Sequence, residues 1–358
     1  PTAFDLQTEE RVETLLEERF EKWQQEGRIP SMKIEPGAKT SEPIRTRGWH
    51  YWHQLFNPRQ ILIASMKRPS SFSWGSLREV ESNSKLCRWG NGKEESKNVF
   101  SDQSLATYYN FTTRSSWFRS SASLRSLARI DVCRTVHLTN ASQISTESAL
   151  WITDPPYADA INYDELSEFF LSWTKDKISR HFPEWHSDSR RALAVRGSDD
   201  EKFEDSLAAI YDNLRRHTLP GGLQVIMFTH SSNEVWLSLN RVIRRSGLQV
   251  LAIWAVRTET ENASKGDGNY VKATYLIVLR DRTAHPPKPK FQVRGEVVKD
   301  VDRLLTDMQS LNQDGELNFK FGDLLLAAPT ALLRVMTSYE EIRGLNPLDR
   351  DEFEKDML

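Results

Sequence analysis

Between residues 146 and 280 the chain alternates short apolar runs with longer amphipathic stretches, and this alternation leaves few folds open. Ala149 to Ile152, "LQVIMF" (223–228), "LQVLAIWAV" (248–256) and "YVKATYLIVL" (270–279) have strand length and strand composition. Helices are expected over 164–178, 201–216 and 233–245. The first of these places Leu166, Phe169, Phe170 and Trp173 on one face. Such an order implies βαβ units and an α/β fold. Leu219-Pro220-Gly221-Gly222 is expected to break the second helix from the strand after it, and Gly247 to end the third. A loop at 266–269 should join the last two strands as an antiparallel pair at a sheet edge.

The flanks read differently. Val12, Leu15, Leu16, Phe20 and Trp23 recur at helical spacing in 8–27, with Thr8 as expected cap and Gly27 as stop. A proline- and glycine-punctuated connector follows. An apolar patch at 61–66, a helix over 102–110 and a serine-rich stretch at 112–126 complete the next hundred residues. Beyond the proline-stiffened exit at 280–290, helices are expected over 298–311 and 321–336. The expected division is 1–42 (helix and connector), 43–145 (loop-rich), 146–285 (sheet) and 286–358 (helical tail).

Charge sharpens this division. Residues 1–42 carry 10 acids and 6 Lys/Arg, 43–135 carry 6 and 15, and 299–358 carry 13 and 7. The basic middle suits a phosphate backbone, although scattered surface charge would give the same count. No apolar stretch approaches the roughly 20 residues of a membrane span, and no signal-peptide pattern opens the chain, so a cytoplasmic address is expected. Cys87 and Cys133 support neither a disulfide framework nor a zinc site. Pro1 in place of methionine suggests a processed product or a fragment.

The residues that carry chemistry stand where the first strand should hand over to a helix: Asp154-Pro155-Pro156-Tyr157. An exocyclic adenine amine is a poor nucleophile because its lone pair is delocalised into the ring. Acceptors that hold both N–H bonds can favour a tetrahedral nitrogen and turn the lone pair towards an activated methyl group. Asp154 supplies a carboxylate. Pro155 supplies a carbonyl, Pro156 restricts Pro155 to extended geometry, and Tyr157 offers a ring on which an extruded base can stack. A plain proline-rich turn would use the same four residues.

This motif resembles the (D/N/S)-P-P-(Y/F/W) loop of the nucleic-acid amino-methyltransferases. "RGWHYWHQLFNPRQ" (47–60), "DQSLATYYNF" (102–111), "DPPYADAINYDELSEFF" (154–170) and "FTH" (228–230) further resemble the DUF1156-type adenine-specific DNA methylases, some of which sit in bacterial phage-defence clusters. The resemblance covers most of residues 8 to 280. It implies part of a three-layer Rossmann-like methyltransferase sheet, S-adenosylmethionine as cofactor, DNA as partner, and Asp159, Asn162 and Tyr163 as pocket residues. His230, after the strand 223–228, would lie on the same sheet edge as Tyr157 and either lines the pocket or is a surface histidine.

Arg45, Arg47, His50, His53 and Arg59, interleaved with Trp49, Tyr51, Trp52 and Phe56, suit a DNA-contacting platform. The aromatics would equally start a helix packed into a core. His50 and His53 have no carboxylate or cysteine pattern to make a metal site. The cofactor's glycine-rich loop is missing: "EPGAKT" (35–40), "RWGNGK" (88–93) and "KGDGNY" (265–270) do not follow a buried strand and open a helix. The resemblance then implies that the loop sits on sequence outside this chain or on a second subunit. Otherwise the chain is a non-catalytic DNA-binding scaffold of methyltransferase shape. RNA or a protein glutamine is a third possible substrate.

Overall fold

The computed structural model describes residues 2–38, 40–66, 77, 80–81, 83–87, 89–90, 95–96, 135–156, 163–185, 200–257, 273–310, 319 and 321–358. The helix expected at 102–110, the stretch 112–126, Cys133 and the loop 266–269 lie outside them. The chain divides into two compact units, 1–138 with 161–194 and 139–160 with 195–358.

The first unit is helical. α1 (Ala3–Gln25) begins earlier than the apolar periodicity suggests, because Thr2 and Asp5 form a reciprocal cap. The Asp5 amide donates to Thr2 Oγ1 at 3.2 Å and the Thr2 amide to Asp5 Oδ2 at 2.9 Å. Thr8, the expected cap, lies inside the helix and donates to the Phe4 carbonyl. α2 (Ser41–Arg47), α3 (Pro58–Met66) and α4 (Tyr163–His181) complete the unit.

The apolar face of α4 is the reason it belongs here and not with the sheet that precedes it. Phe169 and Trp173 are buried with Leu16, Trp23, Trp52, Leu55 and Phe56. Phe56 stacks on Phe169 at 5.9 Å and meets Trp173 edge-on at 5.1 Å. Glu165 anchors the helix to the loop before α2: its carboxylate accepts from the Ala38 amide at 2.8 Å, the Thr40 amide at 3.1 Å and Thr40 Oγ1 at 3.2 Å. Gly37 is what lets that loop close, since a Cβ there would collide with the Glu165 carboxylate.

The second unit is mixed α/β. Four strands, β1 (Ser148–Thr153), β2 (Thr218–Phe228), β3 (Leu248–Arg257) and β4 (Ala273–Asp281), lie in the order β1-β2-β4-β3. β1 and β2 are parallel, joined through α5 (Asp200–Arg216); β4 is antiparallel to both of its neighbours. α6 (Asn233–Arg245) links β2 to β3. The last two strands do form an antiparallel pair, but β4 is internal and only β3 reaches the edge.

Register separates the two faces of the sheet. Thr153, Ile226, Ile277 and Ile253 share one face, which is buried with the apolar sides of α5 and α6. On the other face Leu150, Ile152, Trp254 and Val256 remain 48%, 63%, 59% and 41% exposed. The Leu219–Gly222 stretch is not a break before β2. It is a bulge within that strand, where the register with β1 shifts between Ser148 and Leu150. Pro220 is tolerated there because a bulge does not need its N–H. Gly221 has φ +79°, and a Cβ on Gly222 would meet the Ala149 carbonyl at 2.7 Å.

The expected acidic tail is part of this unit. α7 (Lys290–Ser310), α8 (Phe321–Leu324), α9 (Ala327–Met336) and α10 (Arg350–Lys355) follow the sheet, and Met308, Phe319, Leu326 and Leu333 join its core. Asp323 accepts from the Ala273 amide and, through its carbonyl, from Tyr275 Oη, both at 3.0 Å. Thr337 Oγ1 accepts from the Val250 amide at 3.0 Å. The buried apolar residues of α7 and α9, Val293, Val297 and Leu304 with Ala331, Leu332 and Val335, decide where these helices sit.

Candidate active site at the carboxyl ends of the parallel strands

A parallel pair points its carboxyl ends the same way, and ligands of open α/β sheets bind beyond those ends. β1 delivers Asp154, Pro155 and Pro156 there; β2 delivers Thr229 and His230. Thr153 is paired with Ile226, so Asp154 leaves its strand one step past that pair. Asp154 is exposed and both prolines are half-buried. Its carboxylate therefore keeps access to solvent and to a ligand.

Beneath the corner, Thr153 Oγ1 and Tyr211 Oη of α5 are 3.2 Å apart. Complete burial pushes the Tyr211 phenol up from its ordinary value, its hydrogen bond to Thr153 opposes this, and the negative charge of Asp154 raises it further. Tyr211 is thus a neutral post under the strand end. Thr229 Oγ1 is buried without a hydrogen-bond partner among the described residues. His230 is oriented by its own turn: Nδ1 accepts from the Ser232 amide at 3.0 Å, which leaves the ring proton on Nε2, and its carbonyl accepts from Trp236 Nε1 at 2.8 Å.

Tyr157, Asp159 and Asn162 lie outside the described residues, and Tyr163 is described only as the first backbone position of α4. Sequence reasoning singled out Asp154 and His230 but missed Thr153, Tyr211 and Thr229. Tyr211 reads as one more large residue on the buried face of α5, and only the strand register reveals its hydroxyl under Asp154.

In the helical unit, the five residues of the expected DNA platform part company. Arg45 and His50 are exposed. Arg47 is tied to Glu42 at 3.2 Å and lies over Trp49, and Arg59 is tied to Glu9 of α1 at 2.6 Å. Trp52 and Phe56 are core residues. His53 Nδ1 is 2.8 Å from the Pro30 carbonyl, and the ring stacks on Tyr51 at 5.4 Å. Burial pushes its pKa down, against the bond to Pro30 and with the help of Lys85.

His53 is half-buried, held by the Pro30 carbonyl and the Tyr51 ring. Because the folded chain binds this proton less readily than the unfolded one, stability should fall as pH drops below about 6.5, the ordinary histidine value. Melting curves between pH 5 and 7 should show a shallower pH slope for His53→Gln than for the parent.

Among the described residues no cluster of His, Cys, Asp and Glu has metal-binding geometry, and no helix is long and apolar enough to cross a membrane. Compared with protein-family models, with curated proteins and with solved structures, the chain matches none.

Proposed function

We propose that this chain is the amine-positioning, target-binding half of a DNA adenine-N6 methyltransferase. The observation that carries the reading is the open Asp154-Pro155-Pro156 corner at the carboxyl end of a parallel strand, beside the strand end that bears Thr229 and His230. Support comes also from the order of elements, a parallel pair with its crossover helix and then a helix and an antiparallel terminal pair. That is the order the resemblance implies for the second half of a Rossmann-like methyltransferase sheet.

In this mechanism Asp154 Oδ and the Pro155 carbonyl accept the two N–H bonds of a flipped adenine amine. Tyr157 stacks on the base. An amine held this way would be pyramidal with its lone pair turned out of the ring plane, and Asp154 would take the proton that the nitrogen sheds once a donor bound elsewhere had alkylated it. Tyr211 and Thr153 keep the strand end in place.

The residues described do not fit S-adenosylmethionine. Gly221 and Gly222 stand at the amino end of β2, away from Asp154, where the Ala149 carbonyl closes on Gly222, and Glu165 closes on Gly37. Neither pair of contacts leaves a cradle for a cofactor, so the methyl donor is assigned to a segment outside the described residues or to a second subunit. β1 suits such an addition: it is an edge strand of the four, carries no charged residue from 148 to 153, and exposes Leu150 and Ile152.

The test is to incubate the longest natural form of the chain with tritiated S-adenosylmethionine and DNA and to digest the product to nucleosides. Label in N6-methyladenine supports the reading. Label in cytosine corrects the target base. No transfer, and no cofactor binding by this chain or the longer form, favours the scaffold reading, which the missing glycine loop also supports. Arg45, exposed and outside any ion pair among the described residues, is the cation to test for DNA contact. Arg45→Glu should weaken binding across all sequences and reduce the salt slope by about one. Fluorescence anisotropy at several salt concentrations measures both.

A further inference from the structure

Beside its apolar stripe, α7 turns a charged face towards the end of α9. Glu296, Lys299, Asp300 and Arg303 follow the i, i+3, i+4, i+7 spacing of one helical face. Opposite them, Arg334 and Val335 lie in the last turn of α9, and Ser338 and Tyr339 follow it. With His285 these residues line a cleft of about 410 Å³ in the sheet-bearing unit. Pairing fixes how the two helices meet: Tyr339 Oη donates to Glu296 Oε2 at 2.9 Å, and Arg334 reaches Asp300 one turn further along α7.

Both carboxylates of the cleft are satisfied from within the protein. Glu296 takes the Tyr339 hydroxyl and the Lys288 ammonium. The Asp300 side chain is 2% exposed and accepts from Arg334 Nε and Nη2, each at 2.6 Å, and from Arg303 Nε at 3.0 Å. One buried carboxylate thus holds an arginine from each helix, and a guanidinium fixed from behind keeps its remaining N–H groups aimed. Arg303 uses Nη1 on Asp307 at 3.2 Å. Arg334 is 35% exposed, and its Nη1 has no partner among the described residues. Lys299 is exposed and, among the described residues, has no carboxylate within ion-pair distance. Lys288, Lys299, Arg303 and Arg334 therefore stand against Glu296, Asp300 and Asp307, four positive charges to three negative. The excess is Lys299.

From this geometry we infer that the cleft binds a phosphate group, with Lys299 Nζ and Arg334 Nη1 as its donors. The two stand on facing helices and approach a ligand from different sides, which suits a tetrahedral anion with oxygens in several directions. A carboxylate is planar and is best held by the Nε–Nη2 edge of a guanidinium, and Asp300 already takes that edge of Arg334. The volume lies in the range of small-molecule pockets, about 300–1,000 Å³, so the group that carries the phosphate has room beside Val335. This site does not depend on the methyltransferase reading: it uses none of the residues at the Asp154 corner and would persist if that reading failed.

The test titrates inorganic phosphate into the full chain at constant ionic strength, with calorimetry and the phosphorus NMR line width as readouts. Melting temperature is no substitute, because phosphate stabilises folded proteins in general by exclusion from their surface. Phosphate should bind saturably, and acetate should give no heat. Lys299→Gln, at an exposed position, should weaken phosphate binding about tenfold, the worth of one charge-assisted hydrogen bond. Lys299→Arg should retain it, and Arg280→Gln, an exposed cation outside the cleft, should leave it unchanged. Displacement of phosphate by a short DNA duplex would assign the group to a nucleic-acid backbone, and displacement by glycerol 3-phosphate alone to a small ester; either result keeps the inference. It is overturned if millimolar phosphate gives neither heat nor broadening, if acetate binds as well as phosphate, or if Lys299→Gln binds phosphate as the parent does.

Discussion

Replacing Asp154 by alanine should lower methyl transfer to adenine about 10²- to 10³-fold, the usual cost of removing one oriented hydrogen-bonding group from a transition state. The change should leave folding almost untouched. Asp154 is exposed, and among the described residues nothing donates a hydrogen bond to its carboxylate, so the stability effect should stay within about 0.5 kcal/mol. Asp154→Asn keeps one acceptor oxygen but cannot take the proton that the amine sheds, and should fall between parent and alanine. Single-turnover transfer of tritiated methyl groups, measured on the longest natural form with cofactor saturating, separates this loss from weaker binding. DNA affinity should be unchanged in the same variants. Transfer that stays within twofold of the parent in Asp154→Ala would remove the amine-positioning role, whatever the fold.

The strands and helices from 146 to 281 were legible because their periodicity is carried by residues whose burial the structure repeats. Ile226, Phe228, Ile277 and Tyr275 alternate inward in adjacent strands, and Phe203, Leu207, Tyr211 and Leu214 make one face of α5. Caps and boundaries were less legible. Thr8 looked like the cap because the apolar pattern starts after it, whereas the capping bonds belong to Thr2 and Asp5, ahead of the periodic region. Leu219-Pro220-Gly221-Gly222 carries every mark of a chain break, and only strand pairing shows it as a bulge.

Tertiary choice was the least legible level. The aromatic face of α4 could have served a sheet as well as it serves Phe56 and Trp52, and nothing in its spacing says which. The basic segment shows the same limit for charge: Arg47 and Arg59 contribute to its positive count, but Glu42 and Glu9, distant in pattern or in sequence, neutralise them in place. At the candidate site, the motif itself was readable because its prolines act locally. Tyr211 and Thr229 were not, since their relevance comes from elements brought together by strand register.

Substituting Glu354 by alanine should destabilise the sheet-bearing unit by about 3–5 kcal/mol, the largest single-residue effect expected in the chain outside the apolar core. Glu354 is 0% exposed and accepts from Asn240 Nδ2 at 2.7 Å, Arg244 Nη1 at 2.8 Å and Arg350 Nε at 3.1 Å. It fastens α10 to α6. Arg350, also buried, donates to the carbonyls of Met336, Tyr339 and Glu340 at 2.8, 3.0 and 2.9 Å, so it closes the turn after α9. Burial, reinforced by repulsion from Arg244, pulls the Arg350 pKa down from its ordinary value to about 10, while Glu354 pulls it back up. At pH 7 the guanidinium is charged in both the folded and unfolded chain. The unfolded chain binds more protons only above about pH 10, where stability would rise with pH, so this arginine gives no pH dependence between about 5 and 9. Without Glu354 that buried charge keeps its carbonyls but loses its counter-ion. Urea denaturation at pH 7 should show a lower midpoint with an unchanged slope. Glu354→Leu combined with Arg350→Met should recover only part of the loss, because the double change removes the uncompensated charge yet strands Asn240, Arg244 and three carbonyls. A single-variant cost below about 1 kcal/mol would mean that Glu354 is not the buried counter-ion of this cluster, since a surface ion pair is worth no more than that.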